Sequence, residues 1–153
     1  MRIVLTYGTF DLFHIGHVRL LQRARTFGDK LVVGVSSDKF NEEKGKKSII
    51  CYEHRAAIVA AMKDVDDVIS EDSWNQKETD IKKLNADILV MGDDWEGKFD
   101  HFRDICEVKY VPRTHGISTS QLKEVLKPFS SKEISDLKDS FTTLENFIRQ
   151  LNG

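Results

Sequence analysis

The run Ile88-Leu89-Val90-Met91 shows no alternation of apolar and polar residues. A strand of that kind must be covered on both faces, as in a parallel sheet. It is one of five such segments: residues 3–7, 31–35, 65–69, 87–91 and 106–111 each gather β-branched or large apolar residues. Between them the apolar spacing becomes helical. Val18, Leu20, Leu21, Ala24 and Phe27 form one stripe, and Ala57, Ile58, Ala61 and Met62 another. Strands alternating with helices predict one α/β unit, a five-stranded parallel sheet flanked by helices and joined by right-handed crossovers. Ligands of such sheets bind beyond the carboxyl ends of the strands, near a topological switch point. Function is therefore to be sought just after each strand.

At 153 residues the chain has the size of one domain, with no internal repeat and no low-complexity tract. Its 23 Lys plus Arg against 25 Asp plus Glu, net −2, supply no bulk positive charge for nucleic acid. No stretch of about 18 apolar residues predicts a membrane span. Met1 to Leu5 is already strand-like rather than a leader, and Cys51 and Cys106 lack metal-ligand spacing. A cytoplasmic protein with reduced thiols is expected, with neither nucleic acid nor membrane as a partner.

The last two dozen residues differ in character. Pro128 stops one helix, and Ser130 with Glu133 has the spacing of a capping box for the next. Ile134, Leu137, Phe141, Leu144, Ile148 and Leu151 then step 3, 4, 3, 4, 3. This predicts a C-terminal amphipathic helix with a heptad-like seam, too short for an autonomous coiled coil. The expected division is 1–128 for a catalytic domain and 129–153 for a helical extension, the seam docking on its own core or on a sister subunit.

Two segments carry chemistry. After the first strand comes Gly8-Thr9-Phe10-Asp11-Leu12-Phe13-His14-Ile15-Gly16-His17, leading into a helix. A strand, a Gly-containing turn and a helix start together aim free N–H groups and the positive end of the helix dipole at one place. His14 and His17, one turn apart around Gly16, can both donate to a phosphate whose charge grows in a transition state. Either imidazole alone would read as a cap or a packing group; the pair flanking a glycine reads as a site. Zinc is the weaker reading, with no third Cys or His nearby. The second segment, Arg113-Thr114-His115-Gly116-Ile117-Ser118-Thr119-Ser120, follows the fifth strand and offers a guanidinium fork and four hydroxyls. Two anion-binding helix starts on one sheet predict a polyphosphate held between them.

These segments resemble the two signatures of the cytidylyltransferase family, in the His-x-Gly-His nucleotidyltransferase superfamily. Met91 to Asp100 (MGDDWEGKFD), Phe40-Asn41 with Lys44, Lys46 and Lys47, and Trp74 to Lys77 (WNQK) narrow the likeness to its glycerol phosphate branch, over residues 1–127. The resemblance implies a Rossmann-like fold, CTP and sn-glycerol 3-phosphate as substrates, CDP-glycerol and pyrophosphate as products, Mg²⁺ with CTP as cofactor, and a homodimer. It implies His14, His17, Arg113 and Asp94 as catalytic residues. It places Thr9, Phe10, His14, Ile15, Gly16, His17, Lys46, Lys63 and residues Arg113 to Ser120 (Thr114, His115, Gly116, Ile117, Ser118 and Thr119 between them) at CTP. It places Lys44 and Lys77 at the acceptor phosphate, and makes Asp11, Asp38, Arg55 and Asp66 further polar site residues. No protein metal ligand is assigned. Lys63 stands where the family has Arg, His115 where it has Glu, and the 130–153 helix runs past the family's usual end.

The expected reaction is in-line attack of a phosphate oxygen on the α-phosphorus of CTP, feeding a teichoic acid or capsule polymer. One rival is another phospho-alcohol, phosphocholine or phosphoethanolamine, whose cationic head would want an aromatic or carboxylate box. The other is a non-catalytic nucleotide-binding module, against which the intact histidine pair and Arg113 speak. Trp74 and Trp95 read on their own as core or lid packing, and Cys106 as an inert small hydrophobe.

Overall fold

A computed structural model describes residues 1–127 and 131–152, so the Pro128 stop and the Ser130 cap lie outside the described residues. Five strands, β1 (Ile3–Gly8), β2 (Lys30–Ser36), β3 (Asp67–Glu71), β4 (Ile88–Gly92) and β5 (Glu107–Val111), form one sheet in the order β3-β2-β1-β4-β5. All four pairings are parallel. The chain winds from β1 out to β3, then returns to β4 on the other side of β1. The switch point thus lies between the carboxyl ends of β1 and β4.

The non-alternating strands are buried on both faces, as their composition requires. Val4, Leu31, Val33, Ile88 and Val90 join one apolar cluster with Leu21 and Ala24 of α1 (Ile15–Arg25) and Val59 of α3 (Tyr52–Ala60). Leu5, Val32, Leu89, Met91 and Val108 join a second with Ile81 of α4 (Gln76–Leu84) and Phe102. A short helix, α2 (Asp38–Glu43), follows β2, 3₁₀ turns span Asp93–Trp95 and Asp100–Asp104, and α5 (Thr119–Leu126) follows β5.

Two expectations change. The third strand begins two residues later than its apolar run suggested. Val65 and Asp66 are a docking turn: the Asp66 N–H donates to Leu31 O at 2.9 Å, and its carboxylate accepts the Leu31 N–H at 2.7 Å. Helix α3 buries Arg55 and Val59, with Met62 beyond its end, while Ala57, Ile58 and Ala61 face outward. Its inward face is chosen by a guanidinium with three partners rather than by the apolar stripe. Helix α4 had no apolar stripe to announce it, since five of its nine residues are charged.

The contacts divide the chain into compact units Met1–Gln121 and Leu122–Gly153. The first holds the whole sheet and both apolar clusters. The second contains α6 (Ser131–Leu151), whose seam from Ile134 to Leu151 is exposed. No helix among the described residues is long and apolar enough to cross a membrane.

Candidate active site

The loop after β1 is held in a strained shape. Phe10 and Leu12 have φ of 54° and 49°, a left-handed conformation uncommon for non-glycine residues. Burial of the Phe10 ring against Phe13 and His17 holds it there (centroids 6.5 and 5.4 Å). Gly8 is required beneath it, because a Cβ would sit 2.9 Å from Phe10 Cε2.

His14 is the N-cap of α1 and His17 its third residue. Gly16 N–H donates to His14 Nδ1 at 3.0 Å, and the His14 N–H donates to His17 Nδ1 at 3.1 Å. The helix start thus completes a capping box with two imidazoles. Gly16 leaves room for the His14 ring, which an added Cβ would meet at 2.7 Å. Since both Nδ1 atoms accept, each neutral ring carries its proton on Nε2. The rings stack with centroids 3.9 Å apart, and both Nε2 atoms point at Thr119 Oγ1, at 3.3 and 3.5 Å. That hydroxyl donates to Asp11 O at 3.0 Å, leaving its lone pairs to accept both imidazole N–H groups. Burial lowers the pKa of both histidines; His17, also beside His14, falls to about 4. The site presents two neutral N–H donors converging on one point.

Asp11 and Arg55 build the loop instead of facing a ligand. The Asp11 carboxylate accepts the N–H groups of Ile49 and Ile50 at 2.7 and 3.0 Å. The fully buried Arg55 donates to Ile50 O, Thr9 O and Asp38 Oδ1 at 2.8, 2.6 and 2.8 Å. Asp38 also accepts the Tyr52 N–H, and that bond together with Arg55 holds its carboxyl below the usual range. Thr9 Oγ1 donates to the buried Asn41 at 3.1 Å.

The loop after β5 meets the first loop through Thr119, and Ile117 packs beside Gly16. Ser118 Oγ accepts the Gln121 N–H at 3.2 Å, a helix cap, and Gly116 supplies a φ of 84°. The exposed Arg113 is paired with Asp94 of the turn after β4 at 2.9 Å. Thr114, His115 and Ser120 lie on the same segment, with Ile15 exposed at the start of α1.

Beside these loops a cavity of about 90 Å³ opens at the ends of β1, β2 and β3, with Lys44, Lys46, Lys77, Glu71 and Trp74 among its walls. Glu71 is its keystone. Lys77 Nζ donates to Glu71 Oε2 and Ser36 Oγ to Oε1, each at 2.9 Å. Lys44 Nζ donates to Ser36 Oγ at 3.2 Å and lies 3.9 Å from Glu71 Oε1. Burial lowers the Lys44 pKa to about 8, Glu71 opposing and Lys46 and Lys77 assisting.

Most of the expected site residues therefore converge at the carboxyl edge of the sheet. Lys63 and Asp66 do not. Helix α3 runs back across the sheet and delivers them to the opposite edge, where Asp66 binds the start of β2 and pairs with Arg25 at 3.2 Å. Glu71 and Ser36 were not foreseen, and Asn41, quoted only for the resemblance, had been given no role. A polar pair, Ser70-Glu71, ending an apolar run was the available signal for Glu71, and reading β3 two residues early moved it out of the strand.

Residues 5–125 match the model of the cytidylyltransferase-like family. The chain is 56% identical to the glycerol-3-phosphate cytidylyltransferase of Bacillus subtilis (strain 168), over 81% of this chain and 96% of that one. It is 52% identical to the enzyme of that name from Staphylococcus aureus (strain NCTC 8325), over 82% and 96%. Among solved structures it is similar to a lipopolysaccharide core biosynthesis protein of Thermoplasma volcanium, with a TM-score of 0.64 at 28% identity, covering 74% of this chain and 97% of that one.

Proposed function

The chain belongs to the cytidylyltransferase-like family, and from that membership we propose that it joins CTP and sn-glycerol 3-phosphate into CDP-glycerol, releasing pyrophosphate. The observation that carries this reading is the pair of Nε2–H groups converging beyond β1, next to a cavity with lysines at its wall. The acceptor is largely a dianion near neutral pH, since the second pKa of such a phosphate is about 6. It needs no general base. A phosphate oxygen attacks the α-phosphorus in line, the bond to the β-phosphate oxygen breaks, and pyrophosphate carries away the electron pair.

His14 and His17 then act as donors to the phosphate oxygens as charge builds in the transition state. Arg113, released from Asp94, supplies a planar fork to the triphosphate. Lys44 and Lys77 hold the acceptor phosphate and screen its repulsion from CTP. Among the described residues no group of three or more His, Cys, Asp or Glu side chains is placed to hold a metal. Mg²⁺ is read as arriving on CTP, held largely by its phosphate oxygens.

The acceptor pocket favours an anion over phosphocholine or phosphoethanolamine. Its aromatic walls are already occupied by the protein's own ammonium groups: Lys44 Nζ lies 4.3 Å from the Phe40 centroid and Lys77 Nζ 4.6 Å from that of Tyr7. Pyrophosphate release from CTP with a panel of phospho-alcohols tests the reading; turnover with glycerol 3-phosphate alone is expected, and preference for a cationic alcohol overturns it. The product is an activated glycerol phosphate suited to building teichoic acid or a capsule.

Two further outcomes follow from this pocket and from the division of the chain. Lys44→Ala is expected to raise KM for glycerol 3-phosphate at least tenfold with little change in CTP affinity. Because Lys44 is charged only below about pH 8, kcat/KM for the acceptor should fall above that pH, and Lys44→Arg should push this limb to higher pH. A limb unmoved by Lys44→Arg assigns the titration elsewhere. A chain ended at Lys127 retains both apolar clusters and both loops, and should keep its kcat while losing solubility, melting temperature or dimer content; a folded but inactive truncation would put α6 at the active site.

A further inference from the structure

The side chain of Lys77 is 98% buried, its ammonium between the rings of Tyr7, Trp74 and Phe99 at 4.6, 5.3 and 5.5 Å and bonded to Glu71 at 2.9 Å. Three ring faces and a carboxylate around one cation are the chemistry that recognises quaternary ammonium ligands. The cage is built independently of the lysine. The Tyr7 hydroxyl donates to Asp80 at 2.7 Å, Gln76 Nε2 donates to the same carboxylate, and Ser36 holds the other oxygen of Glu71. Trp74 is braced edge-on by Phe40 at 5.3 Å.

We propose that Lys77 is an internal plug: its ammonium fills a ready-made cation cage of Tyr7, Trp74, Phe99 and Glu71, and so excludes acceptors with a quaternary ammonium head. The cage stands on its own geometry, and only its bearing on acceptor choice rests on the function proposed above. With the plug in place, a cationic head meets a like charge in a site with no room for it, while an anionic phosphate meets an ammonium. Rejection of the wrong acceptor is thus built in by repulsion as well as by lost attraction.

The test removes the plug and offers a replacement. Lys77→Ala opens the cage and leaves Glu71 Oε2 without its hydrogen bond, with Ser36 and the more distant Lys44 on the other oxygen alone, a costly state that an added cation relieves. Tetramethylammonium chloride at about 50 mM should raise the Tm of Lys77→Ala by roughly 3–6 °C over the same concentration of sodium chloride. Wild type and Lys77→Met, in which the cage stays filled, should not respond. Should Lys77→Ala fold only with tetramethylammonium present, that rescue supports the plug. Lys77→Ala/Glu71→Gln removes the carboxylate charge and should respond more weakly through the rings alone. No response in either opened variant overturns the proposal.

Turnover supplies the second arm. Lys77→Ala should use phosphocholine with CTP at least about tenfold better than wild type does. Stabilisation by tetramethylammonium without any gain on phosphocholine overturns the role in acceptor choice. Wild type that releases no pyrophosphate from CTP and glycerol 3-phosphate would defeat the proposed function, while the melting experiment would still report on the cage.

Discussion

His17→Ala is expected to lower kcat by about 10²–10³ while changing KM for glycerol 3-phosphate far less, and His14→Ala to do the same. Each removes one preorganised N–H donor from a point where two converge. Near-wild-type turnover in either variant would sink the assignment. The pH behaviour distinguishes neutral donors from imidazolium cations. With the His17 pKa held near 4 by burial and by His14, lowering the pH from 7.5 to 6 leaves the ring neutral. The acid limb should therefore track the second ionisation of the acceptor phosphate. Stability carries the same signature with a definite sign. A pKa lowered in the fold means that the unfolded chain takes up the proton first. The contribution of His17 is complete above about pH 6.5 and is lost as pH falls toward 4. His17→Asn should melt less steeply with acid over that window.

The second large effect is on folding. Arg55→Ala should destabilise the protein by about 3–5 kcal/mol, lowering Tm by roughly 10 °C. The fully buried guanidinium satisfies two backbone carbonyls and joins the loop after β1 to the connection between α2 and α3, and alanine leaves those carbonyls dry. Arg55→Lys should recover little of this, because a single ammonium cannot reach three partners in the fork's geometry. Asp38→Ala should cost much less, as its side chain is nearly half exposed and water can replace it. Urea titration of the three variants checks the ranking. Equal losses for Arg55→Ala and Asp38→Ala would show that the ion pair, rather than the two carbonyls, carries the effect.

The sheet was legible because burial on both faces leaves a mark no loop can imitate: runs such as residues 88–91 with nothing polar in them. The two candidate site loops were legible because both sit between a strand and a helix start. Other features left no such mark. Helix α4 is read poorly because its one deep apolar contact, Ile81, is surrounded by charge, and its other buried residue is Lys77. The inward face of α3 follows Arg55, a residue whose burial is set by partners 5, 17 and 46 positions away. Lys63 was placed by resemblance alone, and the path of α3 carries it away from the loops. Glu71 became visible only when Lys44, Ser36 and Lys77 had been folded around it.

The capping box at the start of α1 has a consequence for the entropy of the bound state. A flexible donor that must be immobilised when a ligand arrives costs about 0.5–1.5 kcal/mol each time. Here the two imidazoles are frozen by the backbone N–H groups of Gly16 and His14, as part of winding the helix. Their rotamers and tautomers are selected once, when the chain folds, and are not selected again with each substrate. The box holds only while both imidazoles are neutral, because a proton on Nδ1 ends its acceptance of an amide N–H. With burial lowering both pKa values, the orientation persists at neutral pH and is lost as pH falls toward about 4, where His17 titrates. The turn proposed to meet the phosphates and the nucleating turn of the helix are the same few atoms, and mutational drift cannot loosen one while sparing the other.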